Sequence, residues 1–181
     1  MSKKSTRISN NIVILGIDPG FARLGFAVVR KKDGIVSLLE AGTVETRAGD
    51  LHEKRLFFIH EAIERVAKQW HPDILSIEKI FFASNQKTAI PVAEARGIVL
   101  LTAARHGITV YEYAPPEMKR SVTGSGSADK KAVQKIIQIT FKLADMPKLD
   151  DTTDAIGLAL AAAYDIKKEL FSQSGREKTN T

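Results

Sequence analysis

Residues Asn11 to Gly20 read NIVILGIDPG, and this stretch decides how the rest of the chain is laid out. Five apolar residues in the six positions Ile12 to Ile17 run straight into Asp18, Pro19 and Gly20. A buried strand that ends on a carboxylate projects a negative charge from rigid backbone at the edge of a sheet. Pro19 removes a backbone donor and Gly20 permits φ > 0, so the strand must stop there and the chain must turn. Asp18 is then either a turn residue of the common Asp-Pro-Gly kind or a ligand. The choice rests on what else reaches the same edge.

The chain has 181 residues, of which 44% are hydrophobic, which suits one domain able to bury a single core. It contains no cysteine, which excludes a disulfide scaffold, a thiolate zinc site and a cysteine nucleophile together. The first ten residues, MSKKSTRISN, are basic and polar without an apolar segment, and no later apolar run approaches the roughly 18 residues of a membrane span. We therefore expect a cytoplasmic protein without a membrane partner. Its parts would be a basic arm over 1–10, a folded domain over 11–170 and a polar tail over 171–181. A net charge of +6 and a pI near 9.5 favour a polyanionic partner such as nucleic acid, or else a merely basic surface.

Two further strands are expected over Leu24–Arg30 and Ile35–Glu45, joined by a turn whose Asp33-Gly34 is a hairpin signal. From Leu51 to Trp70 the apolar residues recur at helical spacing, with Phe58, Ile59, Ile63 and Val66 on the buried face, and His71-Pro72 ends the helix. A strand over Asp73–Glu78 also finishes on a carboxylate. A helix over Lys87–His106 follows, with Pro91 near its first turn and Gly107 as its stop. Ile108–Tyr113 is a fifth strand, and helices are expected over Pro115–Val122, Ala128–Leu143 and Asp150–Lys168. Three strands in a meander, followed by strands alternating with helices, describe an α/β fold of the ribonuclease H-like kind, with a mixed five-stranded sheet flanked by helices. A flavodoxin-like order would need a helix where the Asp33-Gly34 turn stands.

Acids now arrive at element ends from three segments: Asp18, Glu78, and Asp151 with Asp154. If the first and fourth strands are parallel neighbours, Asp18 and Glu78 leave the sheet at one carboxyl edge, where open α/β folds bind ligands. Asp151 and Asp154 are spaced i, i+3, so they share a helical face with Leu158 and Ala162, the face turned toward the protein. Taken singly, Asp150 or Asp151 is a helix cap, Asp154 a first-turn acid and Glu78 a solvated strand end. Taken together they repel. Two like charges about 4 Å apart cost roughly 4 kcal/mol at an effective dielectric of 20. Two divalent cations would relieve that repulsion, and hard oxygen donors select Mg²⁺ or Mn²⁺ over zinc. A metal pair of this type serves phosphodiester hydrolysis.

Two stretches suit a nucleic acid. Lys119-Arg120 runs into the small-residue loop Thr123–Ser127 and then Lys130-Lys131, a composition that grips phosphates or simply links two helices. Lys79–Lys87 carries the adjacent aromatics Phe81 and Phe82, either core plugs or stacking surfaces. Of the two, Phe81 is expected to face the nucleic acid.

These runs in order resemble the RuvC-type crossover (Holliday) junction endodeoxyribonucleases of bacteria. The resemblance rests on GIDPG (Gly16–Gly20), IEKIFFASN (Ile77–Asn85), EARG (Glu94–Gly97), YAPPEMKRSVTGSGSADK (Tyr113–Lys130) and DDTTDAIGLALA (Asp150–Ala161), with matching order from Ile12 to about Tyr164. It implies that Asp18, Glu78, Asp151 and Asp154 are the catalytic ligands of two Mg²⁺ ions. It implies DNA contacts by Lys119, Lys130 and the junction-facing Phe81, beside Arg120. It further implies a homodimer that cuts four-way junctions symmetrically in recombination and repair, with the RuvA-RuvB branch-migration complex as partner. A binding protein that grips branched DNA without cutting, and an actin-like nucleotide hydrolase, are the other classes the motifs admit. The second needs two duplicated domains, which 181 residues do not hold.

Overall fold

The structure, a computed structural model, describes residues 11–79 and 86–176. The chain runs β1 (Asn11–Asp18), β2 (Arg23–Lys32), β3 (Ile35–Glu45), α1 (His52–Trp70), β4 (Ile74–Glu78), α2 (Gln86–Arg105), β5 (Thr109–Tyr113), α3 (Pro115–Thr123), α4 (Lys130–Phe141) and α5 (Asp150–Arg176). The sheet order is β3-β2-β1-β4-β5. β1, β2 and β3 are antiparallel, whereas β1 pairs in parallel with β4 and β4 with β5. This is the ribonuclease H-like α/β arrangement expected from the element order. Asp33 and Gly34 both take positive φ, 50° and 84°, as a two-residue hairpin turn between β2 and β3 requires. That turn removes the flavodoxin-like alternative.

The sheet is covered on both faces, and β1 shows how. Ile12 and Ile14 pack with residues of α3, α4 and α5, while Val13, Leu15 and Ile17 pack with α1 and α2. Strand side chains alternate between faces, so Gly16 and Asp18 fall on the α5 face. The same count on β4 puts Ser76 and Glu78 on that face, and on β2 it puts Arg23 and Gly25 there. Ser76 shows the assignment directly, because its buried hydroxyl donates to the Leu158 main-chain oxygen of α5 at 2.7 Å.

Several local expectations need correction. Gly20 is not among the residues with positive φ. Glycine is required there because a Cβ would overlap the main-chain oxygen of Arg23, so the turn after β1 is tight enough to bring the chain against itself. Phe58 is 52% exposed, since the buried stripe of α1 runs through Ile59, Ile63, Val66 and Ala67 and leaves Phe58 beyond its edge. Pro91 lies inside α2, past its first turn. α4 is shorter than expected because Asp129 caps it, accepting from the Ala132 N–H at 2.8 Å, and Lys142 ends it in the left-handed region. α5 continues through Arg176, into the stretch expected to be a polar tail. No helix among the described residues is long and apolar enough to cross a membrane.

Candidate active site

The site begins with backbone contact between the sheet and α5. A Cβ on Gly16 would overlap the Ala155 main-chain oxygen and lie 2.8 Å from the Ala159 nitrogen, and a Cβ on Gly25 would overlap the Asp151 oxygen. Two glycines on adjacent strands thus let α5 lie directly on β1 and β2. The Thr43 and Thr152 hydroxyls, 2.7 Å apart, tie the start of α5 to β3. The first turns of α5, which carry Asp150, Asp151 and Asp154, are thereby held beside the carboxyl ends of β1 and β4.

Asp18 and Glu78 end parallel neighbouring strands whose register pairs Ile17 with Ile77, so they leave the sheet side by side on the α5 face. The burial and charge pattern shows the resulting crowd. Burial pushes the Asp18 carboxyl up to about 7, with further upward pushes from Glu78, Asp154 and Asp151, opposed by Lys130. Glu78 is raised by burial and then by Asp154. Asp154 is raised by burial, against the lowering influence of Lys130 and Lys119 and with Asp150 and Asp151 adding to the rise. Asp18 therefore feels the other three expected acids, and Asp154 feels Asp151 together with Lys130 and Lys119.

The carboxylates are divided among cations of the protein itself. Arg23 Nε lies 3.2 Å from Asp151 Oδ2. The pair lacks hydrogen-bond alignment, and that oxygen is buried without a hydrogen-bond partner. Lys130 Nζ lies 3.0 Å from Asp150 Oδ2 and 3.8 Å from Asp154 Oδ2. Among the described residues, accordingly, no three His, Asp or Glu side chains stand in a group that could hold a metal ion as they are arranged. The donors nonetheless suit a hard divalent cation: they are carboxylate oxygens throughout, mutually repelling, with one buried oxygen unsatisfied.

The other expected contacts surround this edge. Lys119 and Arg120 lie on α3, and an Arg120 guanidinium nitrogen comes within 3.3 Å of where a Gly126 Cβ would stand, so Arg120 lies against the small-residue loop. That loop is internally tied, with Ser125 N–H donating to Thr123 Oγ1 at 3.2 Å and the Ser125 and Ser127 hydroxyls 3.0 Å apart. It is a built turn between α3 and α4 rather than a slack linker. Lys79, next to Glu78, pairs with Glu117 of α3 at 3.0 Å. Phe81 and Phe82 lie outside the described residues.

Arg23 is the functional candidate that the sequence reading missed. Its signal was available: it stands two residues before Gly25 on a strand of period two, as Gly25 stands opposite Asp18. Without the contact between Gly25 and α5, nothing marked that face as the one bearing the acids.

Comparison with known proteins identifies the family. The sequence profile of the family described as "Crossover junction endodeoxyribonuclease RuvC" matches residues 14–162. A Crossover junction endodeoxyribonuclease RuvC of Roseiflexus sp. (strain RS-1) is 40% identical over 150 residues, covering 83% of this chain and 89% of that protein. One from Brevibacillus brevis is 42% identical over 150 residues, covering 83% and 90%. Among solved structures, Thermus thermophilus RuvC in complex with a Holliday junction substrate superposes with a TM-score of 0.83 at 30% identity, covering 87% of this chain and 96% of that one. A site of crowded acids on a ribonuclease H-like sheet, matched along most of its length by these proteins, places the chain in the family of crossover junction endodeoxyribonucleases RuvC.

Proposed function

We propose that this chain is a metal-dependent, structure-selective endonuclease that resolves four-way (Holliday) DNA junctions by paired symmetric nicks, in homologous recombination and DNA repair. The observation that carries the reading is the meeting of Asp18 and Glu78, at the ends of two parallel strands, with Asp151 and Asp154 of α5, in surroundings that push Asp18 up to about 7. Four acids kept in mutual repulsion are a poor arrangement for stability and a good one for holding cations.

Family membership implies a divalent-metal requirement. We assign two Mg²⁺ ions, with Mn²⁺ as a substitute, to Asp18, Glu78, Asp151 and Asp154. Bound there, such a pair would activate water and neutralise charge on the scissile phosphate and the leaving oxygen. The residues of the chain do the positioning. Asp18 and Glu78 are anchored on sheet backbone and set the floor of the site. Asp151 and Asp154 ride on α5, which Gly16 and Gly25 hold against that floor. Lys119, Arg120 and Lys130 neutralise backbone phosphates of the DNA strand, and the small residues of the tied Thr123–Ser127 loop let that strand come close. Phe81 is assigned to the junction-facing surface on the family resemblance alone.

The junction has two strands to cut, so we assign a homodimer with one active site for each, acting in the cytoplasm with the RuvA-RuvB branch-migration complex. The domain would span 11–170, with the arm 1–10 and the tail 171–181 outside it. Incubation with a synthetic four-way junction and MgCl₂ tests the reading. Symmetrically paired nicks are expected from the unchanged chain, and Asp18→Asn should bind the junction yet lose cleavage by on the order of 10²–10³-fold or more. Junction cleavage by Asp18→Asn at the full rate would sink it.

A further inference from the structure

Arg23 opens β2 beyond the end of β1, on the face that carries Asp18, and two close approaches fix its backbone. Gly20 has no Cβ because the Arg23 oxygen stands there, and Gly25 has none because the Asp151 oxygen does. From that position the guanidinium meets Asp151 at 3.2 Å, although Glu45 faces Arg23 across the β2–β3 ladder. The pair is misaligned for a hydrogen bond and the Arg23 side chain is 53% exposed, so the interaction is weak and easily exchanged. A guanidinium is permanently charged, and its fork of donors matches a phosphate. It stands at the edge that carries the proposed metal ligands.

Resting on the proposed metal-dependent activity, we infer that Arg23 is a positioning residue that couples metal loading to the grip on DNA. While the site holds no divalent cation, Arg23 is the counterion of Asp151. Were a divalent cation to take Asp151, the guanidinium would be freed for a backbone phosphate of the junction. Lys130 bridges Asp150 and Asp154 from another element, so each acid of α5 in the cluster has a cation of the protein to exchange.

The test uses the full chain. Magnesium affinity of the DNA-free protein is read from the thermal midpoint across a MgCl₂ series. Junction affinity is read across a salt series, once in EDTA and once in CaCl₂. Arg23→Gln should bind Mg²⁺ several-fold more tightly than the unchanged chain. In CaCl₂ its salt slope should be shallower by about 0.9, the loss of one phosphate contact, and in EDTA the two slopes should agree. Arg23→Lys, which keeps the charge, should retain the slope of the unchanged chain. Lys32→Gln, which removes the same charge at the far end of β2, should move Mg²⁺ affinity little. Unchanged or weaker Mg²⁺ binding in Arg23→Gln overturns the inference, because Arg23 would then support Asp151 rather than compete with metal for it. The same slope difference in EDTA and CaCl₂ also overturns it. An unchanged chain that neither binds Mg²⁺ nor cuts the junction overturns the activity as well.

Discussion

Gly25 and Asp151 meet through bare backbone: the space a Gly25 side chain would fill is taken by the Asp151 main-chain oxygen, and Gly16 meets Ala155 in the same way one strand over. Helix α5 is thus set on the sheet by absent atoms. Gly25→Ala and Gly16→Ala should each force α5 away from the sheet, costing about 1–3 kcal/mol of stability as overpacking does. Cleavage should fall further than that loss explains, because the displacement acts on Asp151 and Asp154 directly. Denaturant unfolding and junction cleavage on the same preparations, at a temperature where both variants are folded, check the difference.

Asp18 makes the metal-free protein sensitive to pH. Its folded carboxyl sits at about 7 against an ordinary value of 3.8, because burial and neighbouring acids disfavour the charge. The folded state therefore holds the proton more tightly than the unfolded one. The contribution of Asp18 to stability is fully present below about 3.8 and is lost as pH rises through about 7. In EDTA, Asp18→Asn should gain thermal midpoint over the unchanged chain as pH rises from 4 to 8 and level off above. MgCl₂ should raise the midpoint of the unchanged chain more at pH 8 than at pH 5. A midpoint difference that stays flat across that range would refute the burial of this charge.

Lys130 joins the acid cluster to the basic surface, since it lies 3.0 Å from Asp150 and is one of the cations that lowers the raised Asp154 carboxyl. Lys130→Gln should weaken junction binding at low salt and reduce the salt slope by about 0.9, one phosphate's share. A junction-binding series from 50 to about 200 mM salt measures both.

Ser76 offers a change that spares the chemistry. Its buried hydroxyl donates to Leu158 of α5 at 2.7 Å, on the same strand and face as Glu78 but one turn of the pleat deeper. Ser76→Ala removes the donor while leaving the helix's own bonding in place, so about 1 kcal/mol of stability should go. Cleavage below the unfolding range should remain near that of the unchanged chain. A loss of activity at full folding would mean that this bond positions the acids as well as bracing α5.

Much of this was legible from residue order. The Asp33-Gly34 turn, the apolar run into Asp18, the carboxylate ending DILSIE and the i, i+3 acids of the last helix are local patterns, and local patterns obey backbone sterics and periodicity that need no partner. Even the shared edge of Asp18 and Glu78 followed from parallel pairing of the first and fourth strands. The misreadings were of another kind. Gly20 looked like a residue chosen for its φ, and Phe58 looked like part of a buried stripe, because a single element does not reveal what lies against it.

The sequence by itself determined which acids stand at the ends of the strands and the last helix and where the basic small-residue loop falls, since charge and period are properties of the chain. Tertiary structure alone decided that α5 lies on the face of β1 and β2 marked by Gly16 and Gly25, and that Asp151 rests on Arg23 while Asp150 and Asp154 rest on Lys130. Those facts depend on close approach between elements far apart in sequence, where a missing Cβ or a misaligned ion pair acts over a few ångströms that no pattern along the chain records.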